Sequence, residues 1–542
     1  MRRLGLAIAA ALTGTMAAPL ASASGLFDQL HLTVTPLSTY HSGGFAVGAS
    51  EIVAFDPFTR RVFAVNSNDV TVDVLDAANP RQLNKIGAID AAALGGSANS
   101  VAVHGGLLVV ALESEDKQAN GLVAFYRTSD FSLLKTVPVG ALPDMLTFSD
   151  DGRYVVVANE GEPNDDYSND PEGSVSIIDL RRGVQFASVR HATFTAFNGK
   201  EAELRAQGVR IYGPNASAAQ DFEPEYVTIS GDTAYVTLQE NNAIAVVDIP
   251  SAKVKKILPL GYKDHSLPGN GLDPSDRDNA IAIGNWPVKG IYSPDTIESY
   301  RYFGKTYLVT ANEGDTRDYD TFNEEVRAGA SAVKLDPTAF PNAAALKANA
   351  ALGRLTVTNT LGDTDGDGDY DALYVPGARS FSIWTTDGQQ VFDSGSDFEA
   401  ITGNLLPAAF NSNHEEQPSK DSRSDNKGPE PEGLAVGEYF GRTYAFVGLE
   451  RMSGIMVYDI TNPNDVSFVQ YVSNRNFDVP VCATDAEGEC VASNPAAGDL
   501  GPEGLAFVPW YRSPTWRPLL IVGNEISGST TVYELKLERD WN

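Results

Sequence analysis

An internal repeat limits the folds that this chain can adopt. The phrase GPEPEGLAV at residues 428–436 returns as GPEGLAF at residues 501–507, and each phrase begins a strand that two further apolar strands follow. The same unit can be traced upstream, which gives seven units. Short strands rich in Val, Ile, Tyr and Thr, bounded by Gly, Asp and Asn, in units of about 45 residues or longer, are typical of propeller blades. We therefore predict an all-β fold, a seven-bladed β-propeller with helical and loop insertions.

The spacing of the units predicts one propeller domain over residues 24–542. Three stretches break the rhythm and are interpreted as insertions, at residues 186–222, 251–290 and 315–380. A stacked β-solenoid is the alternative, but its repeat would be shorter. Ring closure removes the exposed edges of the first and last blades. We expect the apolar strand at residues 30–35 to close the ring as the outer strand of the last blade.

The first 23 residues have the pattern of a signal peptide. Arg2 and Arg3 precede a mostly apolar stretch, and the small residues ASA at 21–23 fit a cleavage site, so we expect cleavage near Ala23. The protein is then periplasmic or secreted, in an oxidising compartment. Cys482 and Cys490 lie in one polar loop, and a local disulfide bond is expected between them.

The charge of the chain restricts its partners. It has 71 acidic and 40 basic side chains, a net charge of −31. Such an excess of negative charge argues against binding to nucleic acid or to an anionic membrane surface, and it favours cations. We expect a monomer without nucleic-acid or membrane partners, and a small anionic substrate if the protein is an enzyme.

The first strand of each unit begins with a polar marker, and six of the seven markers are acidic. Because the first strand of a blade lines the central channel, these side chains are expected to surround the axis. Crowded carboxylates repel each other unless cations neutralise them or their pKa values rise. Three interpretations remain open, namely a ring that binds Ca²⁺ or Mg²⁺, acids that cap their own turns, and a solvated acidic channel. The acidic markers are Glu51, Asp144, Glu225, Asp295, Glu432 and Glu503, and the seventh marker is Asn99.

Two acid-rich loops follow second strands and are the places where we expect an active centre. They are ANEGEPNDDY at residues 158–167 and ANEGDTRDY at residues 311–319, and they make Glu160 and Glu313 candidate catalytic residues. Arg317 and Arg451 lie beside blade motifs and could hold an anionic substrate against bound metals, or could pair with the surplus acids. His414 is interpreted as a solvated loop histidine.

The clearest cation motif is DTDGDGDYD at residues 363–371. Asp at positions one, three and five, followed by Gly, is the arrangement that Ca²⁺ loops need. Position twelve is Tyr374 rather than Glu, so the loop resembles shorter ones that close with Asp371. We predict a structural Ca²⁺ site in the largest insertion, and a solvated acidic turn is the alternative. Its candidate ligands are Asp363, Asp365, Asp367, Asp369 and Asp371.

Four segments together resemble the choice-of-anchor I domain family. They are ANEGEPNDDY at 158–167, GNWPVKG at 284–290, the loop at 363–371 and RSFSIW at 379–384. Members of this family are exported propeller-like proteins, and some are labelled alkaline phosphatases. The resemblance implies a metal-dependent phosphoester hydrolase, in which clustered cations bind phosphate and activate water. A non-enzymatic, calcium-stabilised binding or scaffold protein is the alternative, and no nucleophile elbow, Walker loop or zinc-protease motif occurs in the sequence.

Overall fold

The computed structural model describes residues 30–539, and this part of the chain contains seven four-stranded antiparallel sheets. We number these sheets as blades 1 to 7 in the order of their inner strands. From the inner to the outer edge, the strands of blades 1 to 4 are Val53–Asp56, Arg61–Asn66, Thr71–Asp76 and Asn84–Asp90; Ala98–His104, Leu107–Leu112, Asn120–Arg127 and Leu133–Ala141; Pro143–Phe148, Tyr154–Asn159, Ser174–Asp179 and Ser188–Thr193; and Pro224–Ser230, Thr233–Leu238, Ala243–Asp248 and Lys253–Pro259. The strands of blades 5 to 7 are Ile297–Tyr302, Lys305–Asn312, Ser380–Thr385 and Gln390–Asp393; Pro431–Tyr439, Arg442–Leu449, Ile455–Asp459 and Ser467–Val472; and Pro502–Val508, Leu519–Asn524, Ser529–Arg539 and Leu30–His41.

The sheets form a closed ring, which confirms the prediction of a β-propeller. Each inner strand contacts the inner strands of the next and the previous blade, and the inner strand of blade 7 contacts that of blade 1. The N-terminal strand Leu30–His41 pairs antiparallel with Ser529–Arg539, as predicted, so one blade holds both described ends of the chain. The predicted signal peptide at residues 1–23 lies outside the described residues.

The core lies between neighbouring blades, where the second and third strands are covered on both faces. Tyr154–Asn159 and Leu519–Asn524 are therefore buried along their whole length, and they are continuous apolar runs in the sequence. The outer strands have one solvent-facing side, and most of their residues are exposed or half-buried. Ser188–Thr193 and Lys253–Pro259 are of this kind, and they fall inside stretches that the sequence marked as insertions. These strands have few buried residues and contain Arg, His and Lys side chains, so the sequence did not show a strand pattern there.

The segments that connect the blade strands contain short elements. The α-helices are Glu201–Gln207, Ala218–Asp221, Ala343–Leu346 and Asp397–Leu405; the 3₁₀ turns are Ala92–Leu94, Val184–Phe186, Thr195–Phe197 and Pro495–Ala497; and the remaining strands are Tyr262–Asp264, Val288–Ile291, Asp318–Tyr319, Phe322–Asn323, Glu325–Arg327, Thr356–Thr358, Leu373–Val375, Cys482–Thr484 and Cys490–Ser493. The predicted disulfide bond joins Cys482 to Cys490 in the last two of these strands. Within residues 30–539, no helix is both long and apolar enough to span a membrane.

Candidate metal centre

An acidic cavity of about 350 Å³ lies on the propeller axis, at the end where the inner strands begin. Because every blade begins with its inner strand, the first residues of these strands meet there. The cavity is lined by the markers Asn99, Asp144, Glu225, Asp295, Glu432 and Glu503, and by Glu160, Glu313, Glu450 and Glu525, which follow second strands. Glu51 lies beside the cavity and accepts a hydrogen bond from Ser67 Oγ at 2.5 Å. The structure therefore brings the predicted axial acids together with both predicted catalytic glutamates.

Three of these carboxylates form a closely spaced group. Asp295, Glu313 and Glu432 each offer one oxygen, and these oxygens lie within 4.8 Å of one another. Glu313 accepts a hydrogen bond from Gln239 Nε2 at 2.8 Å, and Asp295 accepts one from Thr296 Oγ1 at 3.1 Å. Within the described chain, Glu432 Oε2 is buried without a hydrogen-bond partner. One oxygen of the group is thus free to bind a ligand.

Other carboxylate oxygens around the axis also lack hydrogen-bond partners. Glu225 Oε2 and Glu503 Oε2 are also buried without a hydrogen-bond partner among residues 30–539, and Glu225 is 8% exposed. A buried polar atom without a partner is costly, and a buried charge is more so. These oxygens point to a ligand that the protein chain does not itself supply. They also argue against the interpretation in which each acid caps its own turn.

Burial and mutual repulsion raise the pKa values of the axial carboxylates. Burial first, and neighbouring acids second, raise the pKa of Asp144 to about 7. Burial likewise raises the pKa of Glu51, and the Ser67 hydrogen bond only partly offsets it, so that this pKa is about 7. The pKa values of Glu225, Asp295 and Glu432 lie well above their ordinary range for the same two reasons. Each of these groups gains from a bound cation, because a cation stabilises the ionised form.

Two basic side chains stand at the edge of the cavity. Lys427 Nζ lies 2.6 Å from Glu313 Oε1 and 2.8 Å from Glu430 Oε1. Arg451 contacts Glu430 and Glu450, each at 3.1 Å. Burial alone would raise the pKa of Glu430, but its cationic neighbours hold that pKa well below its usual range. Glu430 therefore neutralises much of the positive charge of Lys427 and Arg451. Most of the negative charge of the axial carboxylates is left without a basic partner.

His414 is buried beside this site, and its interpretation as a solvated loop histidine is wrong. The side chain is 1% exposed, its Nδ1 lies 3.6 Å from Glu450 Oε1, and its Nε2 contacts Arg451. Burial lowers its pKa, so the imidazole is neutral near pH 7. The loop at residues 411–430 carries both His414 and Lys427 into the site. No sequence signal revealed this, because the loop has no strand pattern.

Arg317 is not at the cavity. Its guanidinium is buried and pairs with Asp221 at 2.7 Å and with Glu223 at 2.9 Å, above the ring of Tyr212. These partners belong to the segment between blades 3 and 4. Arg317 thus ties the largest insertion to that segment, and the interpretation as a partner for surplus acids describes it better than a contact with substrate.

The predicted calcium loop lies in the largest insertion, apart from the cavity. Oxygens of Asp363, Asp365 and Asp371 lie within 4.8 Å of one another, and Asp369 and Asp371 form a second such group with Asp336, which the sequence did not reveal. Asp363 accepts hydrogen bonds from the N–H groups of Gly366 and Gly368, at 2.7 and 3.1 Å. Asp367 belongs to neither group and accepts the N–H of Asp369 at 3.1 Å.

A second cleft of about 360 Å³ shares Asp315, Lys427 and Arg451 with the axial cavity. Its other walls include Glu162 from a loop of blade 3, Tyr319 from the largest insertion and Arg423 from the loop at residues 411–430. Tyr319 Oη donates a hydrogen bond to Glu162 Oε1 at 3.3 Å. The cleft offers a route by which a small molecule could reach the axial acids past the two basic side chains.

The donor set suits a hard divalent cation. The axial ligand atoms are carboxylate oxygens, with the amides of Asn99 and Gln239 nearby, and Ca²⁺ takes six to eight oxygen ligands. The two cysteines of the chain are joined to each other, which removes the soft ligands that zinc sites use. Fold and site thus define a class of protein, a closed β-propeller with an acidic centre on its axis.

The chain belongs to the choice-of-anchor I domain family, whose family model matches residues 51–463. This match covers most of the chain and includes the axial markers except Glu503. The resemblance inferred from the four sequence segments is therefore confirmed.

Two curated relatives share parts of the sequence. Gigasin-3a of Magallana gigas is 30% identical over 194 residues, which is 35% of this chain and 66% of the relative. A mesenchyme-specific cell surface glycoprotein of Strongylocentrotus purpuratus is 26% identical over 387 residues, which is 64% of this chain and 48% of the relative. The chain thus spans about half to two thirds of the length of these relatives.

Solved structures with a similar overall shape include a streptogramin B lyase, at 10% identity and a TM-score of 0.42, which covers 94% of this chain and 99% of the lyase chain. A Cps50 (Swd1) β-propeller domain of Myceliophteria thermophila matches with 10% identity and a TM-score of 0.42, covering 92% of this chain and 99% of that domain.

Proposed function

We propose that this protein is an exported, divalent-cation-binding propeller whose axial carboxylates hold Ca²⁺. The observation that carries the proposal is the set of buried carboxylate oxygens without partners on Glu225, Glu432 and Glu503, all facing one cavity. Export is supported by the disulfide bond, which is typical of oxidising compartments, and by the name of the cell-surface relative.

The cation would bind first at one group of closely spaced carboxylates. Asp295, Glu313 and Glu432 provide three ligand groups within reach of one ion, and three acidic ligands neutralise a divalent charge with one negative charge left over. The remaining acids of the ring leave room for a second ion. The loop at residues 363–371 is a separate candidate for structural Ca²⁺ in the same protein.

The activity that we propose for the axial centre is phosphoester hydrolysis. Bound cations would supply phosphate binding and the activation of water. Lys427 and Arg451, at the junction of the cavity and the cleft, would hold the anionic group of a substrate. Glu160 and Glu313 line the cavity and are our candidates for proton transfer and cation binding, respectively.

A non-enzymatic surface protein stabilised by calcium is the second candidate. It is favoured by the ion pairs that already hold both basic residues, since Lys427 contacts Glu313 and Glu430, and Arg451 contacts Glu430 and Glu450. Basic side chains that are held in ion pairs in this way stabilise the site without a substrate. In this case the ion at the axis would fix the inner strands of the blades relative to each other.

Cation binding is tested by metal analysis and calorimetric titration of the mature protein with CaCl₂ and MgCl₂. The variant Glu432→Gln keeps the shape of the side chain but removes the charge of a ligand with a free oxygen. We expect it to weaken the axial binding event. Glu438→Gln is the matched control, because Glu438 lies at the exposed far end of the same inner strand. Equal affinities in both variants would exclude the axial site.

The activity is tested with a chromogenic phosphomonoester and a phosphodiester. We expect turnover that a chelator abolishes and that Ca²⁺ restores, with a lower kcat in Glu160→Gln and a higher KM in Lys427→Gln. Cation binding without turnover on either ester would reject the hydrolase and favour the binding protein. Turnover that survives complete chelation would contradict both the activity and the site.

A further inference from the structure

The end of the propeller opposite the acidic cavity carries exposed aromatic side chains. They lie in the turns between the inner and second strands of blades 5, 6, 7 and 1, which are consecutive around the ring. Phe303 is 90% exposed and Trp516 is 72% exposed. The aromatic residues of these turns are Phe58, Phe303, Phe440, Trp510, Tyr511 and Trp516. We call them the aromatic turns.

Three of these aromatics occupy backbone positions that normally favour Asn or Gly, and one of them is Trp516, with φ +58°. Tyr302 pairs with Lys305, and Tyr439 pairs with Arg442, so Phe303-Gly304 and Phe440-Gly441 form two-residue turns. Phe303 has φ +45° and Phe440 has φ +52°. A bulky residue in this left-handed region is strained. The Phe303 ring packs against Tyr302 at 4.5 Å and the Phe440 ring against Tyr439 at 4.8 Å, but both phenylalanine rings remain mostly exposed, which is a feature of ligand-contact surfaces.

A pocket of about 480 Å³ opens among the turns of blades 7, 1 and 2. Its walls combine the rings of Phe58, Tyr511 and Trp516 with the side chains of Arg60, His104 and Arg512. No Asp or Glu among residues 30–539 lines it. In a chain with a net charge of −31, a cavity with two arginines and no carboxylate selects for an anion.

The basic side chains beside the aromatics are free to bind. In the part of the chain from residue 30 to 539, the side-chain nitrogens of Arg60, Lys305 and Arg512 form no ion pair or hydrogen bond, although the Arg512 guanidinium lies 5.9 Å from the Tyr511 ring. Arg442 differs, because it pairs with Asp459 at 2.9 Å. Three unpaired cations thus follow the same line of blades as the exposed rings.

We propose that the aromatic turns bind an acidic polysaccharide, one whose sugar units carry carboxylates. The apolar C–H face of a pyranose ring packs on an exposed aromatic ring, and a guanidinium holds a carboxylate through two parallel hydrogen bonds. The pocket at Tyr511 and Trp516 receives one sugar unit, with Arg60 and Arg512 on its carboxylate. The chain of the polymer then continues over blades 6 and 5, past Phe440 and Phe303 to Lys305.

A linear polymer fits this end of the ring better than a flat anionic membrane does. The corresponding turns of blades 3 and 4 carry the exposed acids Asp150, Asp151 and Asp232. A membrane that covers the whole face would bring these carboxylates against anionic headgroups, whereas a polymer that follows blades 5 to 1 avoids them. The pocket also has walls on several sides, as a site for an inserted ring requires.

The proposal is tested by affinity electrophoresis and titration with polygalacturonate, in a chelator so that the axial centre is not involved. We expect binding that weakens with salt, and no binding to neutral dextran. Trp516→Asn and Arg512→Gln are each expected to weaken binding about tenfold, as for central residues of an interface. Phe303→Asn keeps the turn, because Asn tolerates the left-handed region, and it is expected to weaken binding to long polymers more than to trimers.

The control variant is Phe186→Asn, which removes an exposed ring of blade 3 that also lies beside an arginine, Arg182. It is expected to bind like the unmodified protein, and so is Glu432→Gln at the axial centre. Absence of binding by the unmodified protein overturns the proposal, as does equal binding to dextran. The same holds if Phe186→Asn loses as much affinity as Trp516→Asn, or if the protein binds phosphatidylglycerol vesicles but not the polymer.

Discussion

Removal of cations from the axial centre is expected to make the folded protein less stable as the pH rises from about 4.5 to about 7. In this interval the folded protein without cations keeps protons on carboxyl groups that the unfolded chain has already ionised. Burial raises the pKa of Glu51 and Glu525 from 4.5 to about 7, and that of Asp144 from 3.8 to about 7. The folded state therefore binds more protons than the unfolded state, and the free energy of unfolding falls as the protons leave.

The magnitude follows from the same values. Each group costs about 1.4 kcal/mol for each pH unit between its unfolded and folded pKa, which is about 3 kcal/mol over the interval. The three groups repel each other, so their contributions overlap and about 10 kcal/mol is an upper bound. With saturating Ca²⁺ the direction reverses, because cation binding requires ionised carboxylates and strengthens as they lose protons.

The assay is denaturant unfolding of metal-free and Ca²⁺-saturated protein at half-unit steps of pH. Glu525→Gln removes one titrating group, so the metal-free slope is expected to become shallower by up to about 1.4 kcal/mol per pH unit. Glu438→Gln, at an exposed position, is expected to leave the slope unchanged. A metal-free protein whose stability stays constant or increases between pH 5 and pH 7 would refute the reasoning, since the axial acids would then already be neutralised by the chain itself.

Three further changes separate the structural from the functional charges. Arg317→Met leaves Asp221 and Glu223 buried without their partner, and a loss of about 3–5 kcal/mol in the free energy of unfolding is expected; a loss below 1 kcal/mol would show that this ion pair is not needed. Asp371→Asn is expected to remove one Ca²⁺ binding event in calorimetry and leave the axial event intact, because Asp371 belongs to both carboxylate groups of the insertion; loss of both events would contradict separate sites. Lys427→Gln removes a cation 2.6 Å from Glu313, so Ca²⁺ affinity is expected to rise, and an unchanged affinity would place the ion elsewhere.

The sequence predicted the fold and the wall of the site well because both repeat. Asp144, Glu225 and Asp295 occupy equivalent positions in their units, so the propeller geometry places all of them at the axis. Lys427 and His414 lie in a loop that the other units do not repeat, so no sequence periodicity indicates where this loop folds. The position of Arg317 in the sequence was misleading. It lies four residues after Glu313, but its side chain turns away from the axis toward Asp221.

The two ends of the channel differ because of the direction of the chain in each blade. Every inner strand enters from the same end, so its first residue faces the acidic cavity and its last residue leads into a turn at the opposite end. A repeat that places an acid at the start of six of the seven inner strands therefore builds one acidic end of the channel. The turns at the other end are free to vary, and in four consecutive blades they carry exposed aromatics. Changes at one end, such as Trp516→Asn, are thus expected to leave the chemistry at Glu432 untouched.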